Sequence, residues 1–301
     1  MRRVAAFVVI ASGVIHASAN RFPESVQAPS TEVYLAPLDL KANTIGAWVN
    51  ISNNAGYDNQ PSFLPDGSAV LFSSARDAGQ SDIWRYTIAT KALLPLTRTA
   101  WADYSPLVTA EGKGFSAVSL EEDKRQRLWH FDLDGANQRV LLELPSPIGY
   151  HTWIDRNRLA LFVLGSPNTL QLADLTTGKA EVIASGIGRS LLIHPRHGRV
   201  TFMSTGQARM IRELDPDTRA IRELMAPLEG SQDAAWAPDG RLLMARGTII
   251  SAATPAPGAA WTVFADLSKS ATPGPAIASV TRMAVSRDGR WLAFVAEPQT
   301  K

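Results

Sequence analysis

Six polar turns, each flanked by two short apolar runs, recur along the 301-residue chain and predict an all-β fold. The fourth position of these turns recurs after 45, 45, 41, 42 and 49 residues. A repeat of roughly 40–50 residues with about four short strands per unit is typical of a β-propeller. The sequence therefore predicts six blades. The turns are Leu64–Gly67, Thr109–Gly112, Ile154–Asn157, Pro195–Gly198, Ala237–Gly240 and Ser286–Gly289.

The first predicted blade shows the four-stranded unit most clearly. Its inner strand ends at Pro61–Phe63, and the turn at Pro65–Gly67 combines three residues that favour tight turns. The second strand covers 68–74, and the third, Ile83–Ile88, alternates apolar and polar residues as a half-buried strand does. Ala92–Thr97 forms the outer strand, whose proline is tolerated because an outer strand is an edge.

The same unit recurs in the following four blades. The second, third and outer strands are predicted at 115–120, 127–133 and 138–144 in the second blade, at 159–165, 169–175 and 180–185 in the third, and at 199–204, 209–215 and 220–225 in the fourth. In the fifth blade they are predicted at 241–246, 247–253 and 260–267, and an alternative register makes 260–267 the third strand.

The last unit contains only two predicted strands, at 280–285 and 290–296. Two strand-like segments at the other end of the chain, 32–40 and 47–52, supply a third and a fourth strand. We therefore expect the N-terminal segment to complete the sixth blade, because closure of the ring removes exposed sheet edges. The competing fold, a sandwich of short strands, accounts neither for six units nor for the two half-units.

The first 19 residues have the features of a secretory signal peptide. Arg2 and Arg3 precede an apolar stretch of 12 residues, Val4–Ile15, and Ala17–Ala19 matches a cleavage site. The alternative is a buried N-terminal helix, and the stretch is shorter than the roughly 20 residues of a membrane span. We predict a signal peptide at 1–19, a linker at 20–31, one propeller domain at 32–297 and a tail at 298–301.

Composition limits the classes of function. Hydrophobic residues make up 45% of the chain, and it has no cysteine, which excludes disulfides, thiolate chemistry and lipid attachment to cysteine. Without the two arginines of 1–19, the net charge of +2 falls to zero, with 28 basic and 28 acidic residues. We therefore expect no nucleic-acid partner. No later segment is long and apolar enough to cross a membrane, so we expect an exported monomer, periplasmic or secreted.

Three parts of the chain resemble the PD40 repeats, which are WD40-like, of TolB-type propellers. Gln60–Phe72 followed by Asp82–Arg85 carries the motif, and Ala237–Gly240 and Ser286–Phe294 repeat it. The resemblance covers the chain from about residue 32 to residue 297 and implies a periplasmic, non-catalytic scaffold that binds partner proteins of the cell envelope. Because only about a dozen residues separate the predicted signal peptide from the first strand, we expect a TolB-like propeller without the family's N-terminal α/β domain.

The loops that enter the inner strands meet at one end of the central channel, so polar residues there are candidates for a ligand site. The alternative is that these side chains satisfy one another and ordered water in a solvated channel. Aligned on their turns, the six units place at one equivalent position Gln60, Ser105, Tyr150, Leu191, Asp233 and Arg282. The predicted site residues are Asp58, Asn59, Gln60, Asp103, Tyr104, Tyr150, His151, Arg189, Asp233 and Arg282.

Histidines and paired acidic residues raise the question of metal binding. Asp58 and Asp103 are equivalent in neighbouring blades, and the pair could hold Ca²⁺ or act as acid and base, unless each caps a loop. His151 could titrate near neutrality, bind metal or be a hydrogen-bonded structural residue. We interpret His194 and His197 as structural, because zinc needs a further ligand and neither cysteine nor a third histidine is near. We expect no metal or cofactor, with Ca²⁺ as the alternative.

Motifs for catalysis are absent from the sequence. It contains no G-x-S-x-G, no H-E-x-x-H and no phosphate-binding loop. We therefore predict a non-catalytic binding or scaffold protein, with a segment of an envelope protein or a small polar molecule bound at the channel mouth. The alternative is an enzyme of the lyase, lactonase or hydrolase type acting on a carbohydrate or a related molecule. That enzyme would use Asp58, Asp103, His151 and Arg282 around a bound cation.

Overall fold

The computed structural model describes residues 30–76 and 79–299, which form 25 β-strands and one short 3-10 helix, Leu267–Lys269. The strands form six antiparallel sheets. The predicted signal peptide, most of the predicted linker and the last two residues of the tail lie outside the described residues. Within the described ranges, no helix is long and apolar enough to cross a membrane.

The sheets are the blades of a propeller; blades 1 to 5 are each formed by one continuous segment of the chain, and blade 6 is formed by two. The chain begins with β1 (Glu32–Asp39), β2 (Thr44–Ile45) and β3 (Val49–Asn50) of blade 6. Blade 1 contains β4 (Asp58–Phe63), β5 (Ala69–Ala75), β6 (Ser81–Thr87) and β7 (Ala92–Pro95), and blade 2 contains β8 (Ala102–Val108), β9 (Gly114–Leu120), β10 (Gln126–Asp132) and β11 (Arg139–Leu142). Blade 3 contains β12 (Ile148–Trp153), β13 (Arg158–Val163), β14 (Thr169–Asp174) and β15 (Lys179–Ser185). Blade 4 contains β16 (Ile187–Ile193), β17 (Val200–Ser204), β18 (Ile211–Leu214) and β19 (Ile221–Met225). Blade 5 contains β20 (Ala234–Trp236), β21 (Leu242–Arg246), β22 (Ile249–Ala253) and β23 (Thr262–Asp266), and blade 6 ends with β24 (Ile277–Val285) and β25 (Trp291–Pro298).

The two ends of the chain meet in blade 6, which confirms the predicted closure. Strand β1 pairs antiparallel with β25, from Glu32 opposite Ala296 to Pro37 opposite Trp291. Tyr34 lies opposite Phe294, and their rings stack with centroids 5.3 Å apart. Neighbouring inner strands contact one another around a complete circle, so the six blades form a closed ring. The all-β, six-bladed propeller predicted from the sequence is therefore confirmed.

Blades 5 and 6 differ in detail from the predicted strands. In blade 6 the outer strand β3 pairs over two residues only, and the preceding Trp48 is buried and donates its Nε1–H to the Pro275 carbonyl at 2.9 Å. In blade 5, β21 and β22 are joined by a two-residue turn in which Gly247 has a φ of 60°. Strand β23 is therefore the outer strand, and the alternative that made 260–267 the third strand is wrong.

The hydrophobic core lies between the blades. Six clusters of buried side chains occupy the six gaps between neighbouring sheets, so each sheet is covered on both faces. Phe72, Phe115, Phe202 and Phe294 are each at most 1% exposed. Burial of one such side chain contributes about 1.5–3 kcal/mol. Because the core is divided among six gaps, a missing blade would expose apolar surface on both of its neighbours.

We predict that Tyr34→Ala destabilises the protein by about 3–5 kcal/mol, the usual cost of truncating a buried aromatic residue. Tyr34 is 1% exposed and stacks on Phe294 at the point of ring closure. The measurement is equilibrium unfolding in urea, with Leu94→Ala, an outer-strand residue that is 59% exposed, as the matched control. The control should change the free energy of unfolding by less than about 0.5 kcal/mol. Equal effects of the two substitutions would contradict a closure that depends on β1.

Candidate functional site

A cavity of about 120 Å³ lies where the six inner strands converge. Each blade contributes to its lining the residue that the six units share at one aligned position, as the sequence alignment predicts. These residues are Gln60, Ser105, Tyr150, Leu191, Asp233 and Arg282. Because all six blades supply one of them, the cavity lies on the axis of the ring.

Irregular backbone aims these side chains at the axis. The pairing of the inner strand with the second strand shifts register between Asn59 and Ser62 in blade 1 and between Tyr104 and Leu107 in blade 2. Blades 3, 4 and 6 show comparable shifts. Gln60 and Ser105 have φ values of 55° and 53°, in the left-handed region that non-glycine residues rarely adopt. Such bulges re-aim side chains and are common beside functional sites.

Three charged side chains meet on the side of the cavity formed by blades 4 to 6. Arg189 forms an ion pair with Asp233. Its Nε lies 3.0 Å from Oδ2 and 3.2 Å from Oδ1, and its Nη2 also donates to Oδ2. Nη2 of Arg282 lies 3.5 Å from Oδ1 of Asp233 and donates to the Tyr150 hydroxyl at 3.3 Å. The Arg282 guanidinium also lies over the Tyr150 ring, 4.9 Å from its centroid. Because two guanidinium groups accompany a single carboxylate, the three side chains together carry a net charge of +1.

This positive charge shifts the pKa of its neighbours. Burial alone would raise the pKa of Asp233, but Arg282 and Arg189 outweigh it and hold this pKa below its usual value. Burial would also raise the pKa of Tyr150, but the positive charges of Arg282 and Arg189 outweigh burial and lower this pKa. In Tyr57, by contrast, burial and the neighbouring Tyr150 raise the pKa. Tyr57 lies just before β4 and was not among the predicted site residues. The positive charges of Arg282 and Arg189 oppose the rise in its pKa.

His151 lies on the same lining and is 3% exposed. Its Nε2 lies 2.6 Å from Oγ of Ser116, which also accepts the Trp153 Nε1–H at 2.9 Å and lies 3.2 Å from the Leu107 carbonyl. These three contacts use the full hydrogen-bonding capacity of the serine if Nε2 carries the proton of His151. Burial lowers the pKa of His151 to about 3, so the ring is neutral at physiological pH.

Three of the nine buried side-chain atoms that have no hydrogen-bond partner in the described part of the chain belong to residues that line this cavity. Within the described residues, Oε1 of Gln60, Oγ of Ser105 and Nδ1 of His151 are buried and have no partner. Leaving such a group unsatisfied costs about 1–3 kcal/mol, so native structures normally pair them with protein, water or ligand. All three belong to blades 1 to 3, which face the charged side chains of blades 4 to 6 across the axis. The cavity therefore has a neutral polar half and a charged half.

Comparison with solved structures identifies the type of propeller. The chain superposes on a structure from Agrobacterium tumefaciens assigned as TolB with a TM-score of 0.69 and 13% identity, covering 90% of this chain and 100% of that one. TolB from Acinetobacter baumannii gives 0.57 and 12%, covering 90% of this chain and 65% of that one. The fold is that of a TolB-like propeller. An oligogalacturonate lyase from Vibrio parahaemolyticus gives a TM-score of 0.51 and 18% identity, with 76% and 68% covered.

Sequence comparison adds one curated relative of this TolB-like propeller. It is an uncharacterized protein of Agrobacterium fabrum, 27% identical over 106 residues, which are 33% of this chain and 36% of the relative. The chain thus matches about a third of the length of that relative. No protein-family model matches the chain. The superpositions on the two TolB structures confirm, for the fold, the resemblance to TolB-type propellers seen in the repeats.

Of the ten predicted site residues, the structure brings six together at the cavity of this TolB-like propeller. The six lining residues are Gln60, Tyr150, His151, Arg189, Asp233 and Arg282. Asp58, Asn59, Asp103 and Tyr104 lie on the same inner strands but do not line it. Asn59 accepts the backbone N–H of Gln60 at 2.8 Å, and Tyr104 packs in the cluster between blades 2 and 3. The role of the lining residues in ligand binding stays a prediction.

Asp58 and Asp103 occupy equivalent structural positions, each paired with a serine of the second strand, Ser74 and Ser119. Both side chains are fully buried. Asp103 accepts hydrogen bonds from Ser119 Oγ at 2.5 Å and Thr99 Oγ1 at 2.9 Å, and Asp58 accepts one from a side-chain amide at 3.2 Å. These contacts anchor the loops that enter the inner strands. Of the four residues of the enzyme alternative, therefore, only His151 and Arg282 reach the cavity.

We predict that Asp58→Asn makes the stability of the protein less dependent on pH. Burial raises the pKa of Asp58 from 3.8 to about 7, although hydrogen bonds from Ser74 and Asn54 oppose it. The folded state therefore retains a proton that the unfolded chain releases, so this carboxyl group stabilises the fold at pH 4 and that stability is lost as the pH rises through about 7.

The measurement is the free energy of unfolding in urea at pH 4.5 and pH 8. From pH 4.5 to pH 8, the free energy of unfolding of Asp58→Asn should rise relative to that of the wild type by on the order of a few kcal/mol. Asp66→Asn, in an exposed turn where the Ser68 backbone N–H lowers the carboxyl pKa, should show no such gain. Parallel pH profiles for Asp58→Asn and the wild type would mean that Asp58 is not a buried acid of raised pKa.

Proposed function

We propose that this TolB-like propeller is an exported, non-catalytic binding protein of the cell envelope that takes up the acidic end of a small polar ligand or protein segment in its axial cavity. The observation that carries the proposal is the lining itself. One net positive charge, from Arg189 and Arg282 against Asp233, faces three buried polar atoms without partners. A carboxylate entering the cavity would meet the positive charge, and its neighbouring hydroxyl or amine groups would meet the unpartnered acceptors.

The size of the cavity limits what enters it. Pockets that enclose a whole small ligand usually measure about 300–1,000 Å³, and this one measures about 120 Å³. One terminal group therefore fits, and the rest of the ligand would lie on the face of the ring. Arginine suits this role because its planar fork matches the two oxygens of a carboxylate.

A binding role agrees with the chemistry of the lining better than a catalytic role does. The Ser116–His151 contact resembles a nucleophile with its base, but Ser116 is fully buried, does not line the cavity and has its hydrogen bonds occupied. Burial keeps His151 neutral, and Asp233 is held in ion pairs by two arginines. These groups can hold a polar ligand in place, whereas none of them is free to exchange a proton near neutral pH.

We predict that small acids raise the melting temperature of the protein and that their neutral amides do not, because a ligand that binds only the folded state stabilises it. The probes are lactate and galacturonate against their amides, and short peptides with a free against an amidated C-terminus. Arg282→Gln should weaken binding of an acid roughly 10- to 100-fold, the worth of one charge-assisted hydrogen bond.

The matched control for this experiment is Arg287→Gln, in the exposed turn of the same blade, which should leave binding unchanged. The two classes of probe distinguish a small ligand from the end of a protein chain. Acids and amides that stabilise the protein equally, or binding that survives Arg282→Gln, would contradict a carboxylate-binding cavity.

The proposed export rests on the sequence of the first 19 residues, which contain a basic start, an apolar stretch and a cleavage motif ending at Ala19. We predict that expression of the full chain in a Gram-negative host places the protein in the periplasm, with Asn20 as its first residue. Intact mass measurement of the fractionated protein tests this. A cytoplasmic protein that retains residues 1–19 would contradict it.

A further inference from the structure

The turn between β16 and β17 in blade 4 carries two histidines, His194 and His197. This turn follows the C-terminal end of the inner strand β16, two residues after Leu192, which lines the axial cavity. The structure adds a third ligating group that the sequence interpretation missed, because Glu213 on β18 reaches the same place. One ligating atom from each residue lies within 4.8 Å of the other two, and within the described residues no other histidines and acids form such a group.

Glu213 presents an unused oxygen to this cluster. The residue is 1% exposed. Its Oε2 accepts from Arg222, with Nη2 at 2.6 Å and Nε at 2.8 Å, and lies 3.5 Å from Nη1 of Arg199. Its Oε1 has no hydrogen-bond partner within the described residues and lies 3.4 Å from Nε2 of His197. A buried carboxylate oxygen without a partner is costly, and here it points at two imidazole rings.

The two histidines are close together and differ in exposure. Their rings stack with centroids 3.5 Å apart, and the His194 ring also packs edge-on against Trp236 at 4.3 Å. His194 is half-buried, whereas His197 is exposed. The His197 side chain is 37% exposed, so solvent reaches it.

We propose that His194, His197 and Glu213 form a zinc-binding site that ties the β16–β17 turn to β18. Two imidazole nitrogens and one carboxylate oxygen are a donor set that Zn²⁺ accepts, with a fourth position left for water. The parallel rings must turn so that their lone pairs converge, and the Arg196 N–H that contacts Nδ1 of His194 at 3.2 Å competes for that nitrogen.

Two arginines affect both the orientation of Glu213 and the affinity of this site for zinc. Arg222 and Arg199 hold Oε2 of Glu213 and direct Oε1 towards the histidines, as outer groups commonly do for ligating carboxylates. Their positive charges also repel a divalent ion. The affinity for zinc should therefore be lower than that of a closed four-ligand structural site. The competing explanation of the geometry is an ion pair between His197 and Glu213, which would bind no metal.

The test is zinc titration of protein purified without a histidine tag, stripped with EDTA and followed by calorimetry. We expect saturable binding of one equivalent. The His197→Gln variant should bind at least about 100-fold more weakly, since changes even in outer groups cost metal sites roughly 10- to 100-fold. His130→Gln, which removes a histidine of blade 2, is the matched control and should bind like the wild type.

A second measurement identifies the ligands independently of affinity. Co²⁺ in place of Zn²⁺ should give visible absorption bands of a nitrogen- and oxygen-ligated ion, and these bands should be lost in His197→Gln. Because His197 is partly exposed, that variant should keep the circular dichroism spectrum of the fold. Wild-type protein that binds no stoichiometric zinc, or a His197→Gln variant that binds it as tightly, overturns the proposal and favours the ion pair.

Discussion

The whole molecule depends on the pairing of β1 with β25. Each blade is covered on both faces only if it has two neighbours, and the six apolar clusters exist only in a closed ring. Closure rests on one antiparallel ladder between the first and last strands, strengthened by the stack of Tyr34 on Phe294. Because the chain has no disulfide, hydrogen bonds and apolar contacts alone hold this joint.

The axial cavity is a product of the same closure. Its lining takes one residue from each inner strand, so no single blade contains the site. Residues as distant in sequence as Tyr150 and Arg282 touch there, and Asp233 connects Arg282 to Arg189. A charge placed on the axis thus acts on groups from several blades at once, which explains why one net positive charge influences both Asp233 and Tyr150.

The repeat pattern was sufficient to predict the fold and the aligned position at the cavity. Turns such as Pro65–Gly67 mark where each inner strand ends, and counting back from them identifies residues that share a place around the axis. In blades 1 and 2, counting fails two residues earlier, at Asp58 and Asp103, because a bulge begins between them and the aligned position and turns their side chains away. Pro61 and Pro106 lie within the inner strands β4 and β8 and were a signal of that irregularity, because proline inside a sheet is typical of bulges.

Three other features could not be predicted from spacing. Glu213 joins His194 and His197 only because β18 lies beside β17 in the folded sheet, and local sequence does not contain that neighbourhood. The small volume of the cavity depends on how far side chains from six strands reach, which needs their rotamers. Likewise, the hydrogen bonds that occupy Ser116 connect blades 2 and 3, so the buried state of this serine becomes visible only in three dimensions.

The joining of the two chain ends also fixes the order of events during synthesis. Strand β1 leaves the ribosome before blades 1 to 5 and before its partner β25, so the β25-facing edge of β1 stays unpaired while those blades are made. Contacts between such distant segments are slow to form. The ring therefore closes only after β25 has been synthesised, however early the individual blades take shape.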